Sequence, residues 1–279
     1  MVKLKKKILY DKNRQIFRLL LSPDGRSLLI EERDSVIKQA YFSCIDLSRE
    51  KVVLDSYQPE DEKYWVGVEN FTGGIIFFHK FVKPDMPMHS GIIAFDVERK
   101  NILWQNLDYS FLFMYQNRLF VYRQRFDTAE LAALDPATGE VTDDMSSKQD
   151  EVDELGRLAN GEIYSQNYIF PEVYSDSDEQ RTGAEIGRLI AEITTGLTVS
   201  GKPEYLVFRD TLFVNYFSRN KSNRLNNNFL AIDIVSGKII FKEVLDSQAN
   251  AYVPDSFFIK DDHLFLLKGK TGVQIMTIK

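Results

Sequence analysis

Cysteine is nearly absent from these 279 residues. The single thiol, Cys44, excludes an intramolecular disulfide framework. It sits in the alternating run Tyr41-Phe42-Ser43-Cys44-Ile45, where it reads as a small buried hydrophobe. Histidine is scarce too, with three copies. Long apolar runs are missing: the longest span about five residues, far short of a membrane helix. An excess of positive charge is also missing. Lys and Arg total 35 against 41 Asp and Glu, a net charge of −6, so the cationic footprint that phosphate contacts need is not there. The N-terminal Lys3-Leu4-Lys5-Lys6-Lys7 has the charge of a signal peptide, but Asp11, Lys12, Asn13 and Arg14 follow where an apolar segment should be. No phosphate-binding loop, nucleophile elbow, HExxH or dinucleotide fingerprint occurs. These absences point away from nucleic acid, membrane and cofactor, and toward a reduced, cytoplasmic, monomeric chain.

Apolar alternation is abundant. Hydrophobic residues make up 44% of the chain and aromatics 13%. One signature recurs: an apolar strand, a tight polar turn, a second apolar strand. It occurs around Ser22-Pro23-Asp24-Gly25, Glu69 to Gly73, Gln116-Asn117, Ala159-Asn160-Gly161, Arg209-Asp210 and Asp261-Asp262, with Asn, Asp, Gly and Pro supplying the turn angles. The second strands begin at positions 28, 75, 119, 163, 212 and 264, a repeat of about 46 residues.

A second motif lies out of phase with the first: small residue, any, acid, apolar, two residues, then Gly. Ala231-Ile232-Asp233 to Gly237 and Ala133-Leu134-Asp135 to Gly139 are the best copies. Ala94-Phe95-Asp96 and Cys44-Ile45-Asp46 are degenerate ones. An acid at that position accepts backbone N–H groups two and three residues on, and Gly takes the left-handed position. Ile186, Leu189, Ile190 and Ile193 have helical spacing. The repeat count nonetheless reads 188–199 as a strand pair, with Glu192 as the acid and a short helix at 182–187 before it.

Two hairpins per repeat make four strands, which is the blade of a β-propeller. The expected fold is all-β: one six-bladed propeller domain, 1–279, with blades near 15–55, 64–105, 110–143, 156–200, 204–243 and 255–278. The N-terminal strand 3–10 supplies the missing fourth strand of the last blade. The alternative is five blades plus an inserted helix at 182–195. The second motif resembles the quinoprotein-type (PQQ-like) propeller repeat, as in Ala231-Ile232-Asp233, Ser236-Gly237-Lys238 and Phe241, and in Ala94, Asp96 and Trp104. The Ser22-Pro23-Asp24-Gly25 turn resembles WD-type repeats. The resemblance implies the fold and no single activity. A lone cysteine cannot form the vicinal disulfide of quinoprotein dehydrogenases, so no PQQ is expected.

In such a fold the links between strands 2 and 3 and between blades share one face. Here these are the long segments: 81–90, 170–187, 217–227, 55–64, 143–156 and 243–255. Function is therefore expected there. Segment 81–90 reads as a proline-stiffened loop. Segment 170–187 reads as an acidic loop with Asp176 and Asp178, and 217–227 as a basic one. Tyr64, Trp65, Met86, Met88, His89, Tyr109, Arg219, Arg224 and Tyr252 are the candidate contacts of a protein or peptide partner. His79 and His89 bracket 81–90, but two histidines without a third ligand set no metal site. The favoured reading is a non-enzymatic binding or scaffold module. The alternative is a hydrolase or lactonase-like enzyme acting on a small or sugar-like substrate, with Glu62, Asp108 and Asp255 as its carboxylates. Glu69 and Asn70 are assigned to a turn on the opposite face.

Overall fold

Five of the six apolar second strands expected from the sequence, those at 28, 75, 119, 212 and 264, become the second strands of five antiparallel sheets. The computed structural model describes residues 2–83, 86–126, 128–165, 168–175, 184–220 and 222–279. The chain divides into two compact units, one of Gln15–Gln166 and one of Met1–Arg14 with Asn167–Lys279.

The first unit holds three four-stranded meanders. The first is β2 (Gln15–Leu21), β3 (Ser27–Asp34), β4 (Gln39–Asp46) and β5 (Lys51–Tyr57). The second is β6 (Val66–Thr72), β7 (Ile75–Lys83), β8 (Met86–Asp96) and β9 (Asn101–Asn106). The third is β10 (Ser110–Tyr115), β11 (Arg118–Gln124), β12 (Ala129–Leu134) and β13 (Val141–Asp144). Helix α1 (Gln149–Ser165) follows. Strand alternation sends Ile76 and Phe78 toward Leu29, Phe42 and Leu54 of the first sheet. Phe77 goes the other way, among Leu119, Val121 and Leu134 of the third. Phe120 turns to the far face of that sheet, onto Val152 of α1 and Met145. Each such side chain contributes about 1.5–3 kcal/mol by leaving water. Cys44 is buried as expected, and burial, with the charges of Asp46 and Glu98 adding to it, pushes its thiol up to about 12.

The second unit holds two five-stranded sheets. One is β15 (Glu172–Val173), β16 (Glu204–Phe208), β17 (Thr211–Arg219), β18 (Leu225–Asp233) and β19 (Ile239–Ala249). The other contains β14 (Tyr168–Ile169), β20 (Phe257–Lys260), β21 (His263–Lys268) and β22 (Gly272–Ile278), with β1 (Leu4–Asp11) on its edge. β1 pairs antiparallel with β22 from Leu4↔Ile278 to Asp11↔Gly272, so the N-terminal strand completes the C-terminal sheet. Leu212 and Val214 pack on Leu189 and Ile190 of helix α2 (Ala184–Thr194). Phe213 packs on Leu264 and Leu266.

The expected fourth blade, 156–200, is not a sheet. Among the described residues its place is taken by α1 and α2, and the sheets number five. The helix of the alternative, 182–195, is present over Ala184–Thr194, residues 182 and 183 lying outside the described residues. Helical spacing decides it. Val152 and Leu155 form one apolar stripe on the third sheet, with Ala159 buried a turn further on, and Ile186, Leu189, Ile190 and Ile193 form another on β16–β18. Gly196, with φ of 76°, ends α2 rather than a hairpin turn.

The acidic turns form as the second motif predicts. Asp46, Asp96, Asp135 and Asp233 each accept the backbone N–H three residues on, at 2.7–2.8 Å. The fourth residue after each acid is left-handed: Glu50, Lys100, Gly139 and Gly237. Trp104 caps the turn of the next repeat. Its Nε1 donates to Pro136 O at 2.9 Å, and its ring lies where a Cβ on Gly139 would fall, 2.5 Å from Cδ2. A Cβ on Gly237 would meet Leu189 Cδ2 at an ordinary 3.6 Å. Gly237→Ala is expected to cost about 1 kcal/mol for the left-handed backbone alone. Gly139→Ala should cost at least about twice that, since it also displaces the indole. Urea unfolding midpoints check the order, and equal losses contradict it.

Candidate functional site

Segment 81–90 is a hairpin rather than a loop. β7 runs to Lys83 and β8 starts at Met86, with Phe81 opposite His89; Pro84 and Asp85 lie outside the described residues. β6 reaches only to Lys80 of β7, and β9 only to Ile92 of β8. The two-stranded tip therefore runs on past both flanking strands. A strand pair results because aromatic and β-branched residues alternate on both sides of the turn.

On one face of this ribbon His79, Phe81 and His89 meet. The two imidazoles stack with centroids 3.5 Å apart and planes 8° apart, and Phe81 meets each edge-on, at 5.0 and 5.3 Å. Glu69 joins them. It is the extra residue of a β-bulge in β6, between Val68↔Phe78 and Asn70↔Phe77. The assignment of Glu69 to the turn is therefore corrected: β6 continues to Thr72, and the turn is Gly73-Gly74. The bulge re-aims the carboxylate, so that Oε1 accepts from Nδ1 of His89 at 2.7 Å and lies 3.0 Å from Nδ1 of His79. His79 is 3% exposed, and neither of its ring nitrogens has a directed hydrogen bond. It fits because residue 67, opposite it, is glycine: a Cβ there would lie 2.7 Å from ring atoms Cε1 and Nε2. Burial lowers the pKa of His79 against the pull of Glu69. Burial also pushes the Glu69 carboxyl up, but the two imidazoles outweigh it and hold the group below its ordinary range. Among the described residues Glu69, His79 and His89 are the group of potential metal ligands, their ligand atoms all within 4.8 Å of one another.

A buried ion network lies alongside. Glu31, 1% exposed, receives Arg33 Nε at 2.8 Å on one oxygen and Arg18 Nη2 at 3.0 Å on the other. The same guanidinium groups donate to the β6 backbone, to Val66 O at 2.6 Å and Val68 O at 2.7 Å. They thereby fix the strand that carries Gly67 and Glu69.

The structure gathers some of the expected contact residues and scatters others. Tyr64 and Trp65 stand half-buried before β6, held by Glu62 Oε1, which accepts from both backbone N–H groups at 2.9 Å. Glu62 thus serves a turn. Trp65 meets Tyr64 at 5.0 Å and Phe81 at 6.1 Å, so Tyr64, Trp65 and His89 adjoin one aromatic group. Met86 and Met88 occupy the alternate positions of the ribbon and are 38% and 55% exposed. Tyr109 lies under Arg123, 5.1 Å from its ring, on the third sheet, and the N–H of Asp108 is held by Asn106. Arg219, Arg224 and Tyr252 belong to the other unit. There the expected basic loop shrinks to 220–224, because β17 extends to Arg219 and β18 begins at Leu225; Lys221 lies outside the described residues, as do Asp176 and Asp178 of the acidic segment. Arg219 Nη1 donates to Asn223 Oδ1 at 3.0 Å, and Arg224 to Asn250.

Tyr252 leads to a polar centre that the sequence reading missed. Its hydroxyl donates to Glu204 Oε1 at 2.7 Å, and the Asp255 N–H donates to the same oxygen at 3.3 Å. Glu204 is 2% exposed, and its Oε2 has no hydrogen-bond partner. Next to it Asn215 donates to Asn227 and to Asn228 O, and Asn227 donates to Ser256 at 2.9 Å. The available signal was Asn226-Asn227-Asn228 inside an otherwise apolar strand.

A family model described as a domain of unknown function, DUF4905, matches residues 21–104. No curated protein matches the sequence. Solved structures similar to this chain include the propeller of Dos1, at 9% identity and a TM-score of 0.34, covering 94% of this chain and 61% of that one. A europium-containing methanol dehydrogenase is similar at 11% and 0.28, covering 96% and 52%. The β-propeller domain of the Trilobed protease from Pyrococcus furiosus, which has an open velcro topology, is similar at 11% and 0.32, covering 95% and 66%. The chain spans about half to two thirds of the length of these three.

Two outcomes test this geometry. Gly67→Ala should drive His79 from its place and cost about 1–3 kcal/mol. Histidine ring resonances shifted out of the stacked environment, alongside a lower urea midpoint, check it. For Glu204, burial raises the carboxyl pKa despite the Tyr252 and Asp255 hydrogen bonds. A raised acid contributes its full stability below the ordinary carboxylate value and loses it as pH rises through the folded value. Glu204→Gln should therefore gain melting temperature relative to the parent as pH goes from about 4 to about 7. A gain that is independent of pH contradicts the assignment.

Proposed function

We propose that the chain is a non-enzymatic protein- or peptide-binding module of β-propeller type, with PQQ-like and WD-like repeats, and that it meets its partner through the 81–90 hairpin. The observation that carries this is the ribbon's exposed apolar side: Val82, Met86 and Met88 are 47%, 38% and 55% exposed on strands that run past their sheet. Exposed apolar residues gathered on a projecting element mark interaction surfaces. Methionines suit them because the unbranched thioether adapts to varied partners. The other side is anchored by Trp65, Phe81 and the stacked histidines, so the contact side is presented on a rigid base. No cofactor is required by this reading.

A second reading, a metal-dependent hydrolase acting on a small or sugar-like substrate, is favoured by one observation. Two imidazoles and a carboxylate converge beside His89, whose side chain is 40% exposed.

The binding reading is tested by capture from a native lysate with three baits: the parent, Met86→Asp with Met88→Asp, and Val235→Asp, which places the same charge at an exposed position of the other unit. The expected result is a protein retained by the parent and by Val235→Asp and lost from the double variant. Equal retention by all three contradicts it.

A further inference from the structure

The group formed by Glu69, His79 and His89 asks for an explanation beyond packing. A buried ring nitrogen without a partner costs about 1–3 kcal/mol. At 3% exposure, inside a space kept open by Gly67, His79 leaves Nε2 in that condition, while its Nδ1 stands 3.0 Å from Glu69 Oε1 without a directed hydrogen bond. The nitrogens stand beside a carboxylate oxygen that a β-bulge has turned toward them, and beside a second imidazole. The three residues come from three different strands of one sheet, so the chain does not bring them together by simple succession.

We propose that Glu69, His79 and His89 bind a divalent transition-metal ion of the zinc class through one carboxylate oxygen and two imidazole nitrogens. The donor set selects the ion. Imidazole suits zinc and its neighbours, whereas calcium and magnesium take oxygen ligands. The distances are close to what is needed. Ligands placed 2.0–2.2 Å from a tetrahedral ion stand about 3.3 Å apart, against 2.7 and 3.0 Å from Glu69 Oε1 to the two imidazoles. One change is required. Parallel rings cannot aim both in-plane lone pairs at a single ion, so binding tilts His89 off His79. His89 is the member free to do this, being 40% exposed while His79 and Glu69 side chains are 4% and 12%. Its backbone stays in place: the carbonyl accepts from Ser110 Oγ at 3.2 Å. The exposed flank of His89 is also the side from which an ion would arrive, and it leaves a coordination position for water or a further ligand.

The test is a titration of the full chain with zinc, by calorimetry and by competition with a chromophoric chelator, with calcium run in parallel. The parent should bind one zinc ion per chain and no calcium. His89→Ala, which removes an exposed side chain and should leave the circular dichroism spectrum unchanged, should weaken binding at least about tenfold, as should Glu69→Gln. His263→Ala, which removes the remaining histidine, should bind like the parent. Zinc should raise the melting temperature of the parent and of His263→Ala but not that of His89→Ala. On binding, the ring resonances of His79 and His89 should lose their stacked shifts. Zinc bound equally by His89→Ala, zinc lost from His263→Ala instead, calcium preferred over zinc, or no zinc bound by the parent overturns the proposal.

Discussion

Every sheet of this protein hangs on one constraint: its second strand must be apolar on both faces. Leu28-Leu29-Ile30, Ile76-Phe77-Phe78, Leu119-Phe120-Val121, Leu212-Phe213-Val214 and Leu264-Phe265-Leu266 are all at most 1% exposed. A strand covered on one side alternates apolar with polar. Three consecutive buried residues require a cover on each side. Neighbouring sheets supply it where there is one: Ile76 and Phe78 face one sheet and Phe77 the next. Helices supply it on two of the sheets. α1 covers Phe120, and α2 covers Leu212 and Val214. The two helices are thus the second cover for the third sheet and for the β15–β19 sheet.

Against this background the polar residues inside the sheets carry information. Glu31 follows a buried triplet directly, and it is retained because Arg18 and Arg33 neutralise it and spend their remaining donors on β6. Removing one member would leave uncompensated charge in the interior. His79 follows the next triplet at the equivalent position, where it has a carboxylate and a second imidazole for company. Asn215 follows a third, within an amide network. One place in the repeat, just past the triplet, is thus used three times to bury a polar group, each time with different chemistry.

Much of this organisation was legible in the sequence. The triplets announced the sheets, the acids announced their turns, and the unassigned N-terminal strand announced its pairing with β22. The failures have two physical causes. First, a left-handed residue is demanded both by a hairpin turn and by the end of a helix, so Gly196 matched the strand motif while terminating α2. Helical spacing at Ile186, Leu189, Ile190 and Ile193 was the better signal, and the repeat count overrode it. Second, contacts between strands distant in sequence depend on register. Whether Glu69 meets two histidines is decided by a single extra residue in β6, and no composition or spacing rule reveals a bulge. For the same reason Pro84 and Pro87 suggested a loop, although the strands around them pair up to Lys83 and Met86.

Amide hydrogen exchange tests the central claim most directly, because protection reports how completely each segment is covered. The five triplets should form the slowest-exchanging amides of the chain, far slower than the segment 58–63 between β5 and β6. A triplet that exchanges at the rate of that segment would show a second strand with an open face, and the account of sheets held between two covers would be wrong.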